Sequence, residues 1–326
     1  MHDIRFGIIG TGDIASKFAR ACILTPGASV AAVSSRNQEN GQRFALENGI
    51  RKVFVGAQAL VESSDIDIIY VATPHTAHFE NCMLALKAGK HVLCEKPMAT
   101  KKADAEVLFA AARERGLLLM EGMWSRFLPN TIRAKDWIKA GRIGNIKFID
   151  GIFSFSVDPL QPKQRLVDPS LGGGSMFDLG VYTIEMASYY ADANPLDYSG
   201  FATPFYPGSD ATAVMVIRYP NGVLSTLRTG ITCKAPVMMT IFGDKGYIEL
   251  PRFFLANEVR LFENGQLTEN IQDTFELPEG FVWQIAAVCE YVRSGVTESP
   301  VIPASDTIAT AEVMEQMMHS FFPDLY

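Results

Sequence analysis

Two stretches hold the residues best able to move protons. His91-Val92-Leu93-Cys94-Glu95-Lys96-Pro97 sets an acid and an amine at the end of an expected buried parallel strand, the edge at which ligands collect in a doubly wound sheet. A lysine held between a strand end and a proline is no ordinary solvated surface lysine. Further on, Gly172-Gly173-Gly174-Ser175-Met176-Phe177-Asp178-Leu179-Gly180-Val181-Tyr182 places Asp178 and Tyr182 four residues apart. On the helix expected beyond the flexible glycines they share one face. Taken alone, these two are better read as a capping acid and a core tyrosine.

A third stretch offers a phosphate cradle. Gly10-Thr11-Gly12-Asp13-Ile14-Ala15 follows the first apolar run and opens the first helical pattern, the context that makes a GxGxxG/A motif informative. Gly10 suits the tight turn, Gly12 lets the backbone approach a pyrophosphate, and Ala15 lets the helix pack closely, its N-terminus supplying partial positive charge. The second strand ends Val33-Ser34-Ser35-Arg36-Asn37, without the acid that usually binds a ribose 2′-hydroxyl. Ser35 and Arg36 suit a 2′-phosphate instead. NADP(H) is therefore the expected cofactor, with NAD(H) the second choice.

Around these stretches the chain shows two rhythms. Short apolar runs at Ile4–Ile9, Val30–Val33, Ile66–Thr73, His91–Cys94 and Leu117–Met120 alternate with helical patterns near Ile14–Leu24, Gln38–Glu47, His78–Ala88 and Lys102–Arg115. That is the βαβ rhythm of a parallel sheet. After Glu121 come a helical stretch (about Asn130–Ala140), a strand (about Ile146–Phe155) and a long helix from Ser175 to Ala191. Strand-like segments follow at Ala211–Tyr219, Val223–Gly230, Val237–Phe242 and Tyr247–Leu250, with helical patterns at Val282–Arg293 and Asp306–His319. Strands without intervening helices imply an open, largely antiparallel or mixed sheet. The expected fold is α/β: a Rossmann domain over residues 1–121, then an α+β substrate and dimerisation domain over residues 122–326.

Composition narrows the function classes. A length of 326 residues suits two domains. A net charge of −7 without any dense basic block argues against nucleic acid and for a small-molecule partner. No apolar run approaches the ~18–20 residues that span a bilayer, and Met1–Arg5 runs directly into a short apolar segment, so a cytoplasmic protein without a membrane partner is expected. Cys22, Cys82, Cys94, Cys233 and Cys289 are scattered, which is the pattern of reduced structural thiols. His75 and His78 lack a third ligand and read as structural or cleft-lining residues.

Taken together, the motifs resemble the glucose–fructose oxidoreductase/inositol dehydrogenase family, Gfo/Idh/MocA, over essentially the whole chain. The matching segments, in order, are Gly10–Ala15, Ala72-Thr73-Pro74 with His78, Ala88 through Pro97, and Gly172–Tyr182. Trp124-Ser125-Arg126-Phe127-Leu128-Pro129 and Glu298-Ser299-Pro300-Val301-Ile302-Pro303 look most like the dimeric dihydrodiol dehydrogenase and NADP-linked D-xylose dehydrogenase branch. The resemblance implies Lys96 and Tyr182 as catalytic residues with Asp178 nearby. It puts Thr73, Pro74, His78, Glu95 and Lys96 beside the motif residues Gly10, Thr11, Gly12, Asp13, Ile14, Ala15, Ser35 and Arg36 on the cofactor side. Trp124, Arg126 and Phe127 follow the last Rossmann strand at the domain junction, which suits a place on the substrate side with Asp178 and Tyr182, although for Trp124 and Phe127 a packing role fits equally well. A homodimer through the C-terminal sheet is implied by the resemblance. Many members of the wider family carry His where this chain has Tyr182, which argues against inositol as substrate.

The implied chemistry has a physical basis. Tyrosine titrates near ~10, and a cation ~4 Å away at an effective dielectric of ~20 contributes roughly 4 kcal/mol, about three pKa units. Lys96 beside Tyr182 would thus make a proton donor and acceptor near neutrality, serving hydride transfer to or from a carbinol carbon of a sugar or diol. The competing class is a dinucleotide-binding regulator or redox sensor without turnover. Retention of Lys96 and Tyr182 argues against it. A weaker reading has the bound cofactor recycled within one active site.

Overall fold

The computed structural model describes residues 3–158 and 160–325. Contacts divide the chain into two compact units, one of Met1–Ala99, Ala103–Trp124 and Glu276–Ala304, the other of Thr100–Lys102, Ser125–Phe275 and Ser305–Tyr326.

The first unit begins with β1 (Ile4–Ile9), α1 (Asp13–Leu24), β2 (Ala28–Ser35), α2 (Gln38–Glu47), β3 (Lys52–Val55) and α3 (Ala57–Val61). It continues with β4 (Ile68–Val71), α4 (His78–Lys87), β5 (His91–Glu95), α5 (Lys102–Arg115) and β6 (Leu119–Gly122). All six strands are parallel, in the order β3-β2-β1-β4-β5-β6. The order reverses between β1 and β4, so the ends of these two strands flank a topological switch point. Ile68, Ile69, Tyr70 and Val71 are all fully buried, as a parallel strand covered on both faces requires.

The second unit adds α6 (Pro129–Lys139), β7 (Ile146–Ser154), α7 (Gln164–Val167) and α8 (Val181–Ala191), the last entered through a single π turn, Met176–Gly180. Seven strands follow: β8 (Asp197–Tyr206), β9 (Ser209–Arg218), β10 (Leu224–Gly230), β11 (Met238–Gly243), β12 (Gly246–Pro251), β13 (Glu258–Glu263) and β14 (Gln266–Gln272). With β7 they form a sheet ordered β14-β13-β12-β11-β7-β10-β9-β8. It is antiparallel except for β7 against β10. β9 buries Ala213, Met215 and Ile217 while exposing Val214, Val216 and Arg218, the alternation of a sheet covered on one face. α8 supplies cover: every residue from Val181 to Ala191 except Tyr189 is buried, as expected of a helix apolar nearly all round.

The chain then contributes a 3-10 turn (Glu279–Phe281) and α9 (Val282–Ser294) to the first unit, and α10 (Ala304–Phe321) closes the second. Where the sequence places one boundary after Glu121, these contacts group Gly122–Trp124 and residues 276–304 with the first unit and Thr100–Lys102 with the second. Packing explains the return: the Phe281 ring lies 6.5 Å from Phe18 of α1, and Arg293 donates to the Gly27 carbonyl at 2.7 Å. α9 buries Gln284, Ile285, Val288 and Cys289. The expected helix from Ser175 to Ala191 is also corrected, since its first turn is π rather than α.

Candidate active site

In the first unit the Gly10–Ala15 turn links β1 to α1 at the switch point. Gly10 holds φ +115°, and a Cβ there would lie 2.4 Å from the Ala72 carbonyl oxygen, so only glycine fits against the end of β4. Gly12 caps α1, and a Cβ on it would meet nothing within 4 Å. Ala15 is fully buried. Beside the turn, Thr73 Oγ1 is buried without a hydrogen-bond partner among the described residues. Open space over a helix N-terminus and an orphaned hydroxyl are what a bound pyrophosphate-containing cofactor would use, so the residues fit such a group. Thr11 and Ile14 are half-buried in the turn, and Asp13 begins α1 in exposed surroundings.

At the end of β2, Ser35 Oγ accepts from the Asn37 amide at 3.3 Å, and Asn37 caps α2 through Glu39 and Asn40. Arg36 is exposed. No acid occupies the strand end from Val33 to Asn37.

The Glu95-Lys96-Pro97 segment is fixed from several sides. The Lys96-Pro97 peptide is cis. His78, fully buried, sets Nδ1 2.8 Å from the Pro97 carbonyl and Nε2 2.9 Å from the Thr73 carbonyl. Both are acceptors, so a neutral ring donates to only one of them. Burial lowers the His78 pKa, and nearby Lys96 pushes the same way, against the two carbonyls. Glu121 Oε1 takes the Met98 amide at 2.7 Å. Glu95, expected on the cofactor side, is buried and accepts the hydroxyl of Tyr70, a residue of the first unit's core. Lys96 is the one half-buried residue in an otherwise buried run from Val92 to Ala99, while Pro74 is half-buried after β4.

The second unit brings Asp178 and Tyr182 together on the π turn and the first turn of α8. Arg165, from α7, donates to Asp178 Oδ1 at 3.0 Å. The Tyr182 ring lies 5.5 Å from Phe153 and 6.3 Å from Phe254, and the latter two stack at 4.8 Å. A phenol framed by apolar rings beside a paired carboxylate is suited to exchanging a proton with a bound hydroxyl.

The glycines before this turn are not flexible. A Cβ on Gly173 would sit 2.7–2.8 Å from the backbone of Val167 and Asp168, and one on Gly174 would lie 2.4 Å from Asp210 Oδ1. Asp210 is buried, and burial raises its pKa while hydrogen bonds from Ser175 and Met176 oppose the rise.

Of the remaining expected site residues, Trp124 is buried against Phe281, ring centres 5.1 Å apart, and Phe127 is buried in the second unit. Arg126 departs most from its expected role in substrate binding. Its guanidinium is 1% exposed and committed to Glu185 at 2.6 Å and Asp306 at 2.7 Å. Sequence reasoning missed Arg165, Phe153, Phe254 and Asp210. Only Asp210 carried a visible signal, an acid at the start of an alternating apolar strand.

Comparison with known proteins identifies the family. Residues 4–123 match the family described as "Oxidoreductase family, NAD-binding Rossmann fold", and residues 131–249 match the "GFO/IDH/MocA C-terminal domain". The trans-1,2-dihydrobenzene-1,2-diol dehydrogenase of Mus musculus is 30% identical over 96% of this chain and 95% of its own, and that of Xenopus laevis 29% over 96% and 97%. Among solved structures, the 3-ketoreductase KijD10 from Actinomadura kijaniata in complex with NADP and TDP-benzene is 29% identical over 97% of both chains, with a TM-score of 0.83. Levoglucosan dehydrogenase, at 19% identity over 98% and 97% of the chains and a TM-score of 0.88, shares the fold. Its two domain matches and its full-length relatives make this chain a member of the GFO/IDH/MocA oxidoreductase family.

Proposed function

We propose that the protein is an NADP(H)-dependent oxidoreductase that interconverts a carbinol and a carbonyl on a small sugar or diol. The observation that carries this reading is the Tyr182 phenol, framed by Phe153 and Phe254 with the Arg165-paired Asp178 four residues ahead of it. It is supported by relatives named as diol dehydrogenases and by a 3-ketoreductase solved with NADP.

When bound, the dinucleotide supplies the hydride-accepting or hydride-donating carbon. The chain's own part is binding and proton transfer. The Gly10–Ala15 turn and the N-terminus of α1 hold the pyrophosphate, and Ser35 and Arg36 select the 2′-phosphate. Tyr182 takes or returns the substrate hydroxyl proton, Lys96 polarises the same oxygen, and Asp178 orients the phenol. The test is single-turnover oxidation of trans-1,2-dihydrobenzene-1,2-diol and of levoglucosan at saturating NADP⁺. Tyr182→Phe and Lys96→Met should each slow it by about 10²–10⁴-fold with cofactor binding retained. Cofactor binding without turnover across a wider panel of sugars and diols would instead favour a sensor.

The same reading includes a homodimer. One face of the eight-stranded sheet carries Phe201, Val214, Leu224 and Phe148 in the open, and a ladder of Phe148, Phe242, Tyr247 and Phe262 rings at 4.9, 5.8 and 4.3 Å continues along it. A second copy covering that face would remove apolar surface from water. Free cysteines, four of the five buried, suit a reducing compartment, and the cytoplasm is where we place the protein. No described helix is long and apolar enough to cross a membrane.

A further inference from the structure

Asp210 lies outside the proton-transfer set, yet it grips the turn that carries that set. Its carboxylate, on β9, is fully buried, and each oxygen lies 3.1 Å from the Met176 amide. The Ser175 hydroxyl donates to Oδ2 and is itself 2.7 Å from Thr229 Oγ1 on β10. Gly174, at φ +116°, brings its bare α-carbon against Oδ1. Beyond Asp210, β9 buries Ala211, Ala213, Met215 and Ile217, all apolar. A buried carboxylate among such neighbours is retained only where donors offset its burial, and here those donors are the hydroxyl of Ser175 at the N-cap of the π turn, the Met176 amide that opens it and the amide of Asp210 itself.

We infer that Asp210 is a positioning residue for the reaction, fixing the start of the Met176–Gly180 π turn and through it the placement of Asp178 and Tyr182. The inference rests on the reading of the site given above. A π turn is an uncommon conformation with i→i+5 hydrogen bonds, and the usual alternative for the same residues is to continue as α-helix. The negative charge facing the Met176 amide stabilises the turn's positive end. Relaxation to α geometry would change the register between Asp178 and Tyr182, and with it the 3.0 Å contact between Asp178 and Arg165. Replacing one oxygen by an amide nitrogen removes the charge and one of the two acceptors that face the Met176 amide, and at Oδ2 it obliges the Ser175 hydroxyl to accept where it donated, which favours that relaxation.

The experiment compares Asp210→Asn in the wild-type and Tyr182→Phe backgrounds, using NADP⁺ with trans-1,2-dihydrobenzene-1,2-diol or levoglucosan as probe. In the wild type, kcat should fall about ten- to a hundredfold, while the KM for the diol or sugar and the affinity for NADP⁺ stay within about twofold. In the Tyr182→Phe background the same substitution should cost less than about threefold, because residues acting as a unit do not add. Equal losses in both backgrounds, or an unchanged kcat, overturn the inference. A normal rate in Tyr182→Phe alone overturns the assignment of the proton donor, which is a separate failure. Amide exchange of residues 174–182 provides a readout independent of any substrate. Asp210→Asn and the near-isosteric Thr229→Val should speed exchange there and leave the first unit's strands protected. Unchanged exchange in the 174–182 segment of whichever variant folds overturns the inference.

Discussion

Arg165 Nη1 lies 3.0 Å from Asp178 Oδ1, giving the carboxylate four residues ahead of Tyr182 a cation from a helix of only four residues. The Arg165 side chain is 53% exposed and that of Asp178 10%, so water and salt screen half of the pair. Exposed pairs contribute about 0.2–1 kcal/mol, whereas hydrogen bonds to charged groups in drier sites contribute roughly 1.5–3 kcal/mol. The pair falls between, and Arg165→Met should lower kcat by about three- to tenfold, well short of the loss expected for Tyr182→Phe. Rates measured over a range of ionic strength should converge for the two proteins as salt rises. A loss confined to NADP⁺ affinity would show that Arg165 serves the cofactor.

The exposed Arg36 beside Ser35 yields a cofactor prediction. Arg36→Ala should weaken NADPH binding about tenfold or more while leaving NADH nearly unchanged, because only the former carries the 2′-phosphate. Fluorescence titration with both cofactors decides it, and equal losses would make Arg36 structural.

What could be read in advance followed local physics. α2 and α5 coincide with Gln38–Glu47 and Lys102–Arg115, and β1 with Ile4–Ile9, because strong periodicity and glycine punctuation mark them. β8 was not marked in the sequence because its outward residues mix Asp197, Ser199 and Thr203 with Phe201, and Gly200 and Pro204 interrupt it, as edge strands allow. β13 and β14 carried a legible signal that went unused, Asn264-Gly265 between two strands with both residues at positive φ. The π turn was not legible, because its cause is Asp210, far away in sequence. The partners of Arg126 were hidden for a similar reason: Glu185 and Asp306 lie on α8 and α10, and no spacing in the sequence announces them.

The open sheet face predicts an oligomer that one charge can disrupt. Phe201 is 87% exposed and pairs across β8 and β9 with Val214, 50% exposed. Covering such surface is favourable by roughly 25 cal/mol per Å² before association costs. Light scattering at micromolar concentration should report about twice the 35.8 kDa chain mass. Val214→Asp, replacing an outward side chain, should return the monomer mass with the far-ultraviolet spectrum unchanged. A monomeric wild-type protein would remove the idea.

Arg142 predicts how the second unit meets acid. It grips both oxygens of Glu263 at 2.7 Å and Glu269 at 2.8 Å, and the hydrogen bond from Arg142 holds the Glu263 carboxyl at about 2, below its ordinary 4.5. A depressed carboxyl favours folding when ionised, so its contribution is complete above pH ~4.5 and is lost as pH falls through about 2. Thermal melts from pH 7 to pH 2.5 should show that Glu263→Gln lowers the Tm at neutral pH. The gap to wild type should then shrink as the pH drops. A gap that widens in acid would reverse the sign of the linkage.

The last prediction concerns Arg126, expected on the substrate side and found paired with two acids inside the second unit. Its cation meets Glu185 at 2.6 Å and Asp306 at 2.7 Å, with the Glu185 side chain fully buried. Burial raises the Glu185 pKa, and the charge of Arg126 opposes the rise together with a hydrogen bond from Thr310, so the arginine is the main counter-charge to that carboxylate. Removing one partner of a buried pair typically costs about 3–5 kcal/mol, because the other is left uncompensated, whereas replacing both by neutral groups is often close to neutral. Arg126→Met should therefore lower stability in chemical denaturation by about that amount, and Glu185→Gln in the same chain should restore much of it. The folded fraction of Arg126→Met should keep its KM for the diol or sugar. A KM raised tenfold or more with stability unchanged would put Arg126 back among the substrate-binding residues.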